Sequence, residues 1–173
     1  KIQLVKSGGL DPGEYRSHLY FRAVPKEKPL GEEEEVISDP SSISVKLTPI
    51  FGITIPAIIR VGQPSASVTI TEPQLKFEND TTPRLAIVFN RSGDYSVYGD
   101  LAVDHVSPGG TVTRVGIANG VAVYTPNTRR RFEFSLINTA GLDLKSGRLI
   151  ITFSAPSDVK PEKYAEAVLM LSQ

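Results

Sequence analysis

Cysteine and tryptophan are absent from this 173-residue chain, methionine occurs once and histidine twice. Without cysteine there is no disulfide, no thiolate metal site and no cysteine nucleophile. An exported location stays open, because oxidising compartments permit disulfides without requiring them. Net charge is missing too: 19 Lys and Arg residues face 19 Asp and Glu residues, for a formal charge of +0. No global field therefore points to nucleic acid or to an anionic membrane. No apolar run approaches the roughly 18 residues of a membrane helix, so no direct membrane insertion is expected. Internal repeats and low-complexity tracts are also lacking. No signal peptide is evident. The chain opens at Lys1 on a segment that already reads as strand, which is the expectation for a fragment or a processed chain.

What is present is β: short Val, Ile, Phe and Tyr runs separated by Gly, Pro, Asn and Asp. The longest run spans Ile43 to Ile59, ISVKLTPIFGITIPAII, with apolar residues at every odd position. These are Ile43, Val45, Leu47, Pro49, Phe51, Ile53, Ile55, Ala57 and Ile59. A strand puts alternate side chains on one face, so they form one stripe. Ordinary strands run about 5–6 residues, and this stripe is longer than one small core uses. Its C-terminal half, Ile53 to Ile59, is expected to face a core. Val45, Leu47, Pro49 and Phe51 are expected on an edge, since they follow a long polar loop and Pro49 has no N–H for a ladder. An exposed apolar edge is an aggregation hazard. Keeping one implies use in strand addition, where main-chain bonds give affinity and alternate side chains fill pockets.

Along the chain, Ile2–Val5 reads as a strand remnant and Gly8–Gly13 as a turn. Tyr15–Val24 is a strand ended by Pro25. Lys26–Ser42 is a polar loop holding Glu32–Glu35, whose like charges keep it extended. After the long strand, the break at Val61–Ser65 separates a domain at 1–62 from one at 63–173. The second domain opens with Ser67–Thr71 and Gln74–Phe77, one strand interrupted at Pro73. Leu85–Phe89, Tyr95–His105, Val112–Ile117, Val121–Tyr124, Arg131–Leu136 and Arg148–Ser154 follow. Asn90–Asp94, Pro108-Gly109-Gly110 and Asn119-Gly120 read as turns, the last as a hairpin. Glu162–Leu171 contains helix-forming residues after Pro161, but its all-β context favours a closing strand. This pattern reads as all-β: an immunoglobulin-like β-sandwich in two domains.

Catalytic chemistry is thin. His18 and His105 have no metal-ligand spacing and read as surface or strand-face residues. No G-x-S-x-G elbow, phosphate loop or paired-carboxylate pattern appears. No enzyme, cofactor or metal is expected. Arg129-Arg130-Arg131 reads as a salt-bridged strand start rather than a nucleic-acid patch. A generic β-sandwich adhesion or carbohydrate-binding module is the alternative. It would want exposed aromatics or a calcium-binding carboxylate cluster, whereas Tyr95, Tyr98 and Tyr124 are scattered.

Several segments together resemble the periplasmic chaperones of chaperone–usher pilus assembly. Glu14-Tyr15-Arg16-Ser17-His18-Leu19-Tyr20-Phe21-Arg22-Ala23-Val24-Pro25 resembles that family's F strand. The acidic loop and long apolar strand resemble its F–G loop and G strand. Phe89-Asn90 and Leu142-Asp143-Leu144-Lys145-Ser146-Gly147-Arg148 sit where the family has similar segments. The resemblance spans the whole chain and rests on order and spacing together.

The resemblance implies two immunoglobulin-like domains, the first incomplete because its strands A to D are missing. It also implies a function in the periplasm. The G strand is lent to a pilus or fimbrial subunit that lacks a strand, and the subunit passes to an outer-membrane usher. The implied donor residues are Ile43, Val45, Leu47, Pro49, Phe51 and Ile53. An interdomain salt bridge is implied for Glu14, Arg60 and Asp143, since one guanidinium can bond two carboxylates. Pro56 stands where the family has the Lys that anchors the subunit's C-terminal carboxylate, and proline has neither charge nor N–H. Lys46 and Arg22 are the basic residues near enough in sequence to be considered instead. The absence of cysteine also departs from members that carry a disulfide.

Overall fold

Alternating apolar residues and punctuating turns produce strands throughout. The computed structural model describes residues 9–24, 49–63, 65–79, 81–137, 142–156 and 162–171, and every regular element among them is a strand. In chain order these are β1 (Gly13–Arg22), β2 (Gly52–Val61), β3 (Ala66–Glu78), β4 (Thr82–Gly93) and β5 (Val97–Val106), then β6 (Val112–Val123), β7 (Arg129–Ser135), β8 (Gly147–Ser154) and β9 (Lys163–Leu171). The protein is therefore all-β. Ile2–Val5, Glu32–Glu35, Ile43, Val45, Lys46 and Leu47 lie outside the described residues.

The strands form three sheets, ordered β1-β2, β3-β4-β7 and β6-β5-β8-β9. The chain divides into two compact units, 15–59 and 1–14 with 60–173. The change therefore falls at Arg60, just before the break read from sequence. Within the larger unit, the Tyr95 hydroxyl donates to the Val61 carbonyl at 2.9 Å and the Gly62 carbonyl at 3.1 Å. Those two bonds attach the residues around Gly62 to this unit.

The larger unit is a sandwich whose core comes from both of its sheets. β8 shows the logic: Leu149, Ile151 and Phe153 alternate inward and are fully buried, with half-buried residues between them. Leu85, Ile87 and Phe89 of β4 and Leu101 and Val103 of β5 supply facing layers at 0% exposure. Phe89 packs on Phe153 with ring centroids 5.0 Å apart and planes at 57°, a tilted arrangement aromatic pairs favour. β3–β4, β5–β6 and β8–β9 are antiparallel neighbours, and the links between these pairs cross from sheet to sheet. This three-plus-four division agrees with the sandwich expected from sequence.

Two local readings change, and a third, His105 as a surface or strand-face residue, narrows to a buried strand face. Asn119-Gly120 makes no hairpin: β6 continues through it as one strand. Opposite Gly99 to Leu101, β6 runs from Val121 to Ala118, one residue more, which is a β-bulge. Gly120 adopts φ 71°, open to glycine, and its N–H donates to Asp100 Oδ1 at 2.9 Å. Asn90–Asp94 is not a turn up to Gly93, because β4 runs that far. His105 is buried at 2% exposure, with Nε2 2.8 Å from the Ser146 carbonyl and Nδ1 without a partner among the described residues. Elsewhere the reading holds. β3 is one strand with a register shift between Thr71 and Gln74, where Pro73 has no N–H to pair. The last segment is the strand β9, paired to β8.

Candidate functional site

In the 15–59 unit, β1 and β2 pair only with each other among the described residues. A two-stranded sheet offers no second layer and two open edges. Gly52 fits because the Tyr20 ring lies across it, and a Cβ there would meet the Tyr20 hydroxyl at 2.6 Å. The Ala23 N–H donates to the Phe51 carbonyl at 2.9 Å and carries the pairing past the end of β1, to the residue before β2. On the odd-numbered face, Phe51 is 74%, Ile53 66% and Ile55 48% exposed. Pro49 is exposed as well, while Ala57 and Ile59 are half-buried.

The stripe read from sequence is thus an exposed apolar surface from Pro49 to Ile55. This corrects the expectation that Ile53 and Ile55 face a core. Alternation identifies a face but not a covering layer, and here the described residues supply none. Pro56 is exposed within β2 and contributes no N–H to either edge. Arg22 is exposed at the end of β1.

A second constellation belongs to the larger unit. The Glu14 side chain is fully buried, and Arg60 Nε donates to its Oε2 at 3.0 Å. The Ser96 hydroxyl donates to Glu14 Oε1, and the Ser96 N–H reaches Oε2 at 3.4 Å. Ser96 Oγ in turn accepts the Thr125 N–H at 3.0 Å. The Glu14 N–H donates to the Asp94 carbonyl at 3.1 Å. A buried carboxylate is tolerated only when paired and hydrogen-bonded, and these donors meet that demand.

Asp143 does not join this cluster. Its Oδ1 accepts the Lys145 N–H at 2.9 Å and its Oδ2 the Ser146 hydroxyl at 2.8 Å, so both oxygens close their own turn. The three-charge interdomain bridge implied by the resemblance is therefore corrected to a pair, Glu14 with Arg60, both in the larger unit. An Asp bonded to the N–H two residues on is a local turn signal, readable in Asp143-Leu144-Lys145 itself. The Lys145 N–H, then the Ser146 hydroxyl, hold the Asp143 carboxyl below its ordinary 3.8. A depressed carboxylate contributes stability above its unfolded pKa and loses it as pH falls through the folded value. Asp143→Asn is therefore expected to lower the urea midpoint slightly at neutral pH. The gap should close once pH drops below the Asp143 folded pKa. A gap that persists through that range would show that charge plays no part.

Two of the tyrosines that look scattered in sequence, Tyr95 and Tyr98, line one cleft in the larger unit together with Tyr164, and Tyr124 is not among its lining residues. Tyr95, Tyr98 and Tyr164 border a space of about 760 Å³ with Arg60, Glu162 and Lys163. Tyr95 is buried and its hydroxyl is committed to Val61 and Gly62. Tyr164 packs edge-on against Phe153 at 5.6 Å. Tyr98, 51% exposed, presents the most accessible ring of the three. Among the described residues, no group of His, Asp and Glu is placed to hold a metal ion.

No family model matches the chain, and no curated protein matches it. Among solved structures, it is similar to the crystal structure of DesR, a β-glucosidase from Streptomyces venezuelae in complex with D-glucose. That similarity has a TM-score of 0.40 at 13% identity and covers 64% of this chain and 16% of the enzyme chain. A likeness of that size and level bears on neither substrate nor activity.

Proposed function

We propose that this chain is a periplasmic chaperone of pilus or fimbrial subunits, acting by strand donation and passing its subunit to an outer-membrane usher. It does so without cofactor or turnover. The observation that carries the reading is the exposed apolar face of β2. Phe51 and Ile53, two residues apart on one side of a two-stranded sheet, are 74% and 66% exposed. A subunit with an open groove offers that face what it lacks, a covering layer and a ladder partner. Two of the three charges that the resemblance implies as a salt bridge, Glu14 and Arg60, pair at 3.0 Å, which also supports the reading.

Burying each apolar side chain contributes about 1.5–3 kcal/mol before ordering costs. Replacing Phe51 and Ile53 together by glutamate should thus weaken subunit binding by about 100-fold or more. Thr54→Glu, on the opposite face of the same strand, is the control. Co-expression with a pilus subunit in a bacterial periplasm, followed by co-purification, reads the outcome. A one-to-one complex lost with the Phe51→Glu, Ile53→Glu pair and kept with Thr54→Glu is expected. A complex indifferent to both changes would overturn strand donation. Retained sugar binding in the double variant would favour the adhesion or carbohydrate-binding alternative, with Tyr98 its natural contact.

A further inference from the structure

Asn119 and Gly120 are both exposed, and they occupy the bulge of β6, an edge strand of the four-stranded sheet. An asparagine followed by glycine is chemically labile. The glycine has no side chain to shield its backbone nitrogen, which lies within reach of the asparagine side-chain carbonyl carbon. In the reaction, the Gly120 nitrogen bonds to Asn119 Cγ. The side-chain nitrogen leaves as ammonia, taking up the proton that the Gly120 N–H gives up. Solvent water then opens the cyclic imide at either carbonyl, leaving aspartate or isoaspartate at position 119.

The attacking nitrogen is occupied here. The Gly120 N–H donates to Asp100 Oδ1 at 2.9 Å. Asp100 is half-buried on β5, the strand paired to β6, and so is carried on a fixed element. A carboxylate opposes the reaction in two ways. It holds the proton that must leave, and its charge disfavours the anionic amide nitrogen that attacks. We propose that Asn119 is a deamidation site held closed by Asp100. The inference stands apart from strand donation and rests on the bulge and its contact with Asp100.

Reaction would have a structural consequence. Aspartate at 119 adds a second carboxylate beside Asp100, and like charges on neighbouring strands repel. Isoaspartate inserts a methylene into the backbone of β6 and breaks its register with β5. The site is thus a one-way ageing point on an edge of the larger unit.

The test follows deamidation at 119 by peptide mass mapping and isoaspartate detection after incubation at mildly alkaline pH. It compares the intact chain, Asp100→Ala, Asp100→Asn and the urea-unfolded chain. Asp100→Ala is expected to react about tenfold faster than the intact chain, equivalent to about 1.4 kcal/mol on the barrier. Asp100→Asn retains the shape and a neutral acceptor and should fall between them. The unfolded chain should be fastest. Equal rates in the intact chain and the folded Asp100 variants would overturn the proposal. So would slower reaction in Asp100→Ala, which would make the carboxylate a base rather than a guard. If Asp100→Ala fails to fold, Asp100→Asn decides between the same outcomes. An intact chain reacting as fast as the unfolded one would overturn the proposal without any variant.

Discussion

Phe153→Ala is expected to lower the unfolding free energy by about 3–5 kcal/mol. The side chain is fully buried on β8, between Phe89 at 5.0 Å and Tyr164 at 5.6 Å. It also lies against Gly99, where an added Cβ would meet Phe153 Cε2 at 3.0 Å. Rings on two sides and backbone on a third leave little room for collapse, so most of the vacated volume stays as a cavity. Domains of this size are stable by only about 5–15 kcal/mol, so the loss is a large fraction. The check is urea unfolding with an unchanged slope, which reports stability rather than a change of fold. Phe153→Leu, which conserves more volume, should cost much less. A loss near that of the leucine variant would show that the neighbouring strands move in to fill the space.

Arg91→Ala should be nearly as costly, at about 3 kcal/mol or more, for a different reason. Arg91 is 5% exposed and sits at the end of β4. Its Nε donates to the Asn127 carbonyl at 3.0 Å, and its Nη1 to those of Gly93 at 2.7 Å and Tyr95 at 2.9 Å. One planar fork therefore joins the β4–β5 connection to the β6–β7 connection. Truncation strands buried acceptors that the arginine had satisfied. Arg91→Lys should recover less than half the loss, because a single ammonium cannot reproduce donors fixed in one plane. A lysine variant as stable as the parent in urea would show that charge alone suffices.

How far the sequence reveals this molecule depends on how local the deciding contact is. Leu149, Ile151 and Phe153 announce β8 because their alternation is in the chain itself. The interruption of β3 is visible in Pro73 for the same reason. Arg91 is legible in the same way: it follows Leu85, Ile87 and Phe89 at the same two-residue spacing, which puts it inside. Asn119-Gly120 misleads because its bulge is set by pairing with Gly99 to Leu101, on another strand. Glu14 and Arg60 lie 46 residues apart, and only the family resemblance brought them together before the structure did. The stripe of β2 is legible as alternation from Pro49 to Ile59 among the described residues. Whether another layer covers Ile53 and Ile55 is a tertiary question that alternation does not address.

The arginines that open β7 have a consequence for how copies of this protein meet. β7 forms an outer edge of the β3-β4-β7 sheet, with main-chain groups on that side free of a neighbouring strand among the described residues. Arg129 is held by Glu72 at 2.6 Å, and Arg130 stacks over Phe132 at 5.4 Å. Arg130 Nη1 also donates to the Ala122 carbonyl, so the two side chains reach to other strands, Arg129 to β3 and Arg130 to β6. Two copies approaching through this edge in parallel register set guanidinium against guanidinium, whereas antiparallel register sets Arg131 against Glu133. Like charges oppose the parallel approach, and opposite charges admit the antiparallel one. A molecule with an uncovered apolar strand in β2 thus has, in β7, a second edge whose charges admit a neighbouring copy in one direction only.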